Sequence, residues 1–97
     1  KEAQAVVNAY IRERDRNEPC ISCGRYHDGQ DHAGHYRTTA AAPELRFYED
    51  NCHKQCAPCN NHLSGNITEY RKGLIRKIGI ERLDALEGPH EPMSYTI

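Results

Sequence analysis

The chain has no Trp, one Phe and one Met among its 97 residues, and no run approaches the ~20 apolar residues that span a bilayer. Those absences exclude a membrane span and a second hydrophobic core, so one soluble domain is expected. The opening stretch KEAQAVVNAY lacks the form of a secretory signal, and the missing initiator Met suggests an excised domain or a processed chain. With a mean hydropathy of -0.90, the single core must be thin, and a chain of this size generally needs a further staple. A strong charge of either sign is missing too: the formal net charge of -1 does not mark a nucleic-acid binder. The balance is uneven, however, because residues 66–83 carry five bases against two acids. This excess lies on Arg71, Lys72, Arg76, Lys77 and Arg82, a solvated helix face or a phosphate-facing one.

Five cysteines and six histidines are the material for a staple. Cys20-Ile21-Ser22-Cys23 and Cys56-Ala57-Pro58-Cys59 are each C-x-x-C, a spacing that suits one tetrahedral Zn²⁺ held by four thiolates in a closed, structural site. A thioredoxin-like redox pair is the competing reading, but the chain has two such pairs and no evident βαβ pattern. Metal binding of this kind favours a reducing cytosol. Four thiolates and one Zn²⁺ would bring the formal charge to about -3. Cys52 is left over and reads as a small buried residue on a strand.

Ala3, Val6, Val7, Tyr10 and Ile11 recur at helical spacing, predicting an amphipathic helix that ends before Pro19. Residues 20–60 show little periodicity; Leu45, Phe47 and the stretch Gln30–Tyr36 hint at strands. Ile67, Tyr70, Leu74 and Ile78 mark a second helix, which Gly79 breaks before a short third one over Ile80–Leu86. Gly88-Pro89 ends regular structure, and HEPMSYTI reads as a tail. The segment between the cysteine pairs holds His27, Asp28, Asp31, His32, His35, Asn51 and His53, with Asn60 and His62 just beyond. A zinc clip fixing both ends of such a segment is a scaffold for a second, catalytic metal.

Residues 33–66, AGHYRTTAAAPELRFYEDNCHKQCAPCNNHLSGN, together with PCISCG at 19–24, resemble the NinG/Rap family of lambdoid phage recombination endonucleases. Two knuckles around a His and an Asn are similar more broadly to HNH, or ββα-metal, nucleases with zinc knuckles of the endonuclease VII type. The resemblance implies His35 as general base on the attacking water, since an imidazole suits proton transfer near neutral pH. It implies Asn51 as the loop residue that ties the hairpin and orients the base. A divalent cation, Mg²⁺ or Mn²⁺, would be held by a residue on the first strand and one on the following helix. On the helix Asn60 is preferred and His62 is the alternative; on the strand His32 is preferred and Asp31 is the alternative. Many HNH enzymes carry the strand ligand immediately before the base, where this chain has Gly34. Arg37, Arg46, His53 and Lys54 are candidate phosphate contacts beside the site, and Arg71, Lys72, Arg76 and Lys77 a second track.

These readings combine into a small α+β fold, a zinc-knuckled ββα-metal core flanked by an N-terminal helix and one or two C-terminal helices. Residues 1–18 are the N-terminal helix, 19–66 the core, 67–88 the C-terminal helices and 89–97 the tail of one HNH-type nuclease domain. The implied function is metal-dependent cleavage of branched DNA such as Holliday junctions or D-loops in the bacterial cytoplasm, with a homodimer suited to a two-fold symmetric junction. The rivals are a nicking or degradative nuclease without branch preference, and a non-enzymatic zinc module that binds DNA or protein.

Overall fold

The computed structural model describes residues 2–27, 29, 31–63 and 65–89, and of His62 only the backbone. Among the described residues are three α-helices and one two-stranded antiparallel sheet. Helix α1 spans Glu2–Arg14, strands β1 and β2 span Asp31–His35 and Cys52–Cys56, and helices α2 and α3 span Ile67–Lys77 and Ile80–Glu87. Residues 90–97 of the sequence-predicted tail lie outside the described residues.

Of the apolar stripe expected on α1, only Ile11 is buried; Val6 and Tyr10 are exposed. The helix is instead anchored at its C-terminal end by polar groups. Asp15, just past that end, accepts the Lys54 amide of β2 at 3.0 Å, and Ile21 N donates to the Lys54 carbonyl at 2.9 Å. These two contacts occupy an outer edge of β2 that would otherwise present unpaired backbone groups.

The strands pair Asp31 with Cys56, His32 with Gln55, Ala33 with Lys54, Gly34 with His53 and His35 with Cys52. Residues 36–51 connect them. Leu45 and Phe47, read as strand residues from their composition, lie instead in and just after a short 3₁₀ turn, Pro43–Leu45. Pro43 has no N–H for a ladder, and the Leu45 carbonyl is taken by the Asn51 side-chain amide at 3.2 Å.

The hydrophobic core gathers Ile21, Tyr36, Ala42, Leu45, Tyr70, Leu74, Leu83 and Leu86. Gly79 separates α2 from α3 with φ +90°, a left-handed geometry that a Cβ disfavours. Gly73 has a different reason: a Cβ there would lie 2.0 Å from the Ile21 carbonyl oxygen, so α2 presses directly on the first cysteine knuckle. Among the described residues no helix is long and apolar enough to cross a membrane.

Candidate metal centre and hairpin site

Each cysteine pair sits in a tight turn. In the first, Cys20 N donates to Arg25 O and Gly24 N to Cys20 O, both at 2.9 Å, with Gly24 at φ +73°. The second lies at the end of β2 and runs into a π-helical turn, Pro58–His62. The sheet register and the packing of α2 bring the turns together, so that the four Sγ atoms of Cys20, Cys23, Cys56 and Cys59 all lie within 4.8 Å of one another. Cys23 Sγ and Cys56 Sγ are 3.9 Å apart, close to the edge of about 3.8 Å that Zn–S bonds of ~2.3 Å impose on a tetrahedron. The donor set and spacing fit a structural zinc ion. His27 Nε2 stands 3.2 Å from Cys23 Sγ, a neighbour that its spacing four residues after Cys23 could have signalled.

Among the described residues Cys52 belongs to no such cluster: it is fully buried, its Sγ is 3.8 Å from the Arg46 carbonyl, and burial pushes its thiol up to about 11. That is the inert residue its odd number suggested.

Next to the four-cysteine cluster, the hairpin carries most of the expected site residues. Asn51 is fully buried and all its side-chain bonds serve the connecting segment. Its Oδ1 accepts Arg37 N at 2.8 Å, while Nδ2 donates to Arg37 O at 3.0 Å and to Leu45 O at 3.2 Å. One amide thereby holds both limbs of the 36–51 loop against the start of β2. His35 closes β1, and its Nε2 lies 2.9 Å from the Arg46 carbonyl. A carbonyl accepts only, so Nε2 carries the proton and Nδ1 the lone pair of the neutral ring.

His32 and Asn60 meet: Asn60 Nδ2 is 2.8 Å from His32 Nδ1. Two ligands in adjacent positions on one cation are separated by a similar distance, and a half-turn of the isosteric amide presents Oδ1 at the same place. Asp31 goes elsewhere, to an ion pair with Lys54 at 3.5 Å. Strand alternation puts His32 on the face of Gly34, His53 and Gln55, and His35 on the face of Asp31, Ala33 and Cys52. Gly34 has a packing reason to lack a side chain, because a Cβ would lie 2.0 Å from Gln55 Oε1. The Gln55 amide is fixed in turn by Nε2 donating to Ser22 Oγ at 2.8 Å, and the Gly34 carbonyl accepts from Tyr70 OH at 2.6 Å.

His53, expected among the phosphate contacts, is only 1% exposed and has no surface to offer DNA. Its Nε2 donates to Asp50 O at 2.9 Å, which leaves Nδ1 to accept from Arg14 Nη2 at 3.1 Å and Lys77 Nζ at 2.9 Å. Burial first, then the charges of Lys77 and Arg14, lower this imidazole to about 4. Asp15, equally buried, binds Arg14 at 2.8 Å and Lys77 at 2.9 Å. Burial opposes its charge, but the bonds from Arg14, Lys77 and the Lys54 amide prevail and hold the carboxyl far below its usual range. The Lys77 amine is lowered, since burial, with the nearby Arg14 charge, outweighs the help of Asp15 and Glu18.

The other expected phosphate contacts are largely engaged within the chain. Arg37 donates to Leu86 O at 3.0 Å, Arg46 to Gln4 Oε1 at 2.8 Å, Arg71 to both Glu87 oxygens at 2.8 and 3.1 Å, and Lys72 to Glu69 at 3.1 Å. Arg76 is exposed on α2.

Comparison with known proteins agrees with the motif reading at the level of family. The family model described as Bacteriophage Lambda NinG protein matches residues 1–97. The protein named ninG of Escherichia phage lambda is 59% identical over all 97 residues, and the same-named protein of Salmonella phage P22 is 58% identical over 96. The chain spans about half the length of these relatives, 48% and 47% respectively. No solved structure matches it. With every residue inside the family model and the cysteine knuckles assembled at its centre, the chain belongs to the NinG family of phage proteins.

Proposed function

We propose that this chain is an HNH-type, metal-dependent DNA endonuclease that hydrolyses phosphodiester bonds in branched recombination intermediates such as Holliday junctions or D-loops. The observation that supports it most is the approach of His32 Nδ1 and Asn60 within 2.8 Å, one from the hairpin and one from the turn directly after the second knuckle. Two side chains so far apart in sequence meet here on a scaffold clamped by four cysteines.

His32 and Asn60 would hold a divalent cation such as Mg²⁺ or Mn²⁺, which when bound would supply positive charge for the crowded phosphorus and the departing 3′ oxygen. An imidazole ligand shifts preference from Mg²⁺ toward Mn²⁺ and later first-row ions. His35 has its Nε2–H committed to the Arg46 carbonyl, so Nδ1 takes the proton from water as its oxygen attacks phosphorus and the P–O3′ bond breaks. The products carry a 5′-phosphate and a 3′-hydroxyl. Asn51 is a positioning residue that holds the loop presenting the Arg46 carbonyl.

The spacing of His32 and His35 is the demanding feature. A ligand directly before the base also alternates faces with it, but two further residues add about 6.6 Å along the strand. DNA is held by backbone contacts from exposed cations such as Arg76, and two copies act on a two-fold symmetric junction in the bacterial cytoplasm.

Cleavage of a fixed four-way junction and of its matching linear duplex, in Mg²⁺ and in Mn²⁺, tests this. The junction is nicked in preference, and His35→Ala and His32→Ala each lower the rate by roughly 10²-fold or more. Equal rates on the two substrates would remove the branch preference. Unchanged nicking by His35→Ala would remove His35 as the base, and a parent that binds DNA but shows no metal-dependent nicking would remove the nuclease assignment and leave a zinc module.

A further inference from the structure

Phe47 is the chain's only Phe, and in so thin a core an aromatic ring is the most valuable thing to bury. Yet Phe47 is 44% exposed and its neighbour Tyr48 is 49% exposed. They do not lie on a loose loop. The Leu45 carbonyl is bound by Asn51 Nδ2, the Arg46 carbonyl by His35 Nε2, and Tyr48 N and Asn51 N donate to Leu45 O and Tyr48 O at 3.1 and 3.0 Å. Arg46 is tied to Gln4 of α1 and places its guanidinium 5.0 Å from the centre of the Phe47 ring. The two rings border an open groove of about 260 Å³ that runs to Asp50.

We propose that Phe47 and Tyr48, with Arg46, form a stacking platform for an unpaired nucleobase at a DNA branch point. This rests on the nuclease reading and adds what that reading lacks, a means of telling branched from linear DNA. Aromatic rings and a guanidinium plane stack on any base face, independent of sequence. Charge favours a base over the phosphate backbone at this place. The Glu49 carboxylate, bonded to Tyr10 OH at 3.2 Å, repels phosphate but not an uncharged base, and Arg82 neutralises Asp50 at 2.9 Å. In an intact duplex the base faces are covered by their neighbours, and extrusion is least costly where pairing is already lost. The platform also shares a residue with the chemistry, because the Arg46 carbonyl that orients His35 belongs to the residue beside Phe47.

The chain contains no Trp, so Phe47→Trp installs a single reporter at the platform. In the zinc-loaded protein, without added divalent cation so that binding is read apart from cleavage, its emission is quenched by a duplex with an unpaired bulge and not by the perfect duplex. The double variant Phe47→Ala/Tyr48→Ala keeps its zinc and its far-ultraviolet spectrum. It binds the bulged duplex roughly tenfold more weakly or worse and the perfect duplex within about twofold of the parent. Equal losses on both duplexes, or none, overturn the platform alone. A double variant that changes sedimentation from dimer to monomer with unaltered DNA preference assigns the surface to a second copy and overturns it too. A parent that binds neither DNA removes the proposal together with the DNA reading. A parent that shows the quenching but never cuts leaves the platform standing and sinks the nuclease reading.

Discussion

The burial of His53 makes the stability of the fold depend on pH in a defined window. Unfolded, the ring has an ordinary pKa near 6.5; folded, burial and the facing cations Lys77 and Arg14 lower it to about 4. The depressed value means that the folded state resists a proton that the unfolded chain accepts. The contribution is therefore complete above pH 6.5 and is lost progressively as pH falls from 6.5 toward 4, where the folded ring is protonated too. At about 1.4 kcal/mol per pK unit, the full loss is on the order of 3 kcal/mol, of which about 2 kcal/mol has gone by pH 5. Urea unfolding of the parent and of His53→Gln at pH 8 and pH 5 measures this. Glutamine can still donate to Asp50 O and accept from Lys77, and any weakening of thiolate–metal bonds in acid affects both proteins alike. The parent loses about 2 kcal/mol more than the variant over that interval. The same pH dependence in both proteins, or an NMR titration of the His53 ring near 6.5, would refute the argument.

Three further outcomes follow from the same packing. Asn51→Ala deletes three hydrogen bonds at a buried site, which at about 1 kcal/mol each, plus the cost of stranded partners, destabilises by roughly 3–4 kcal/mol; hydrogen exchange at the Arg37 amide accelerates with it. Gly73→Ala separates two effects of opposite sign. Alanine favours a helix by about 1 kcal/mol, but its Cβ would meet the Ile21 carbonyl at 2.0 Å, so chemical denaturation shows net destabilisation of roughly 1–3 kcal/mol; a gain in stability would mean that α2 does not press on the knuckle. Metal analysis finds about one zinc per chain, and chelation exposes Cys20, Cys23, Cys56 and Cys59 to alkylation and lowers helix content. In the loaded protein Cys52, buried and with its thiol raised to about 11, stays unmodified.

Much of the scaffold was legible because its signals are local. C-x-x-C prescribes a metal knuckle within four residues, Gly79 marks the break between α2 and α3, and Asn51 in its polar cluster announces a turn whose side chain then ties the loop. Other expectations failed where contacts between distant residues decide. Leu45 and Phe47 have strand-like composition, but Pro43 and the Asn51 amide draw that segment into a 3₁₀ turn. The stripe on α1 promised a packed face, yet Val6 is 67% exposed, because polar anchors at Arg14 and Asp15 hold that helix. Spacing left His32 against Asp31 open; the hairpin brings His32 to Asn60 and Asp31 to Lys54.

By itself the sequence determined the cysteine centre, the order of helices and the family, since ligand spacing, breakers and motif strings are written in adjacent residues. Only the tertiary structure decided which polar groups are available for chemistry. Lys77 and His53 look like surface residues in a polar chain, but the meeting of α1, β2 and α2 buries His53 and half-buries Lys77 around Asp15. Gly34 looks like a lost ligand position, but the Gln55 side chain takes its space. Burial and charge pairing are properties of the gaps between elements, and no local pattern of residues encodes them.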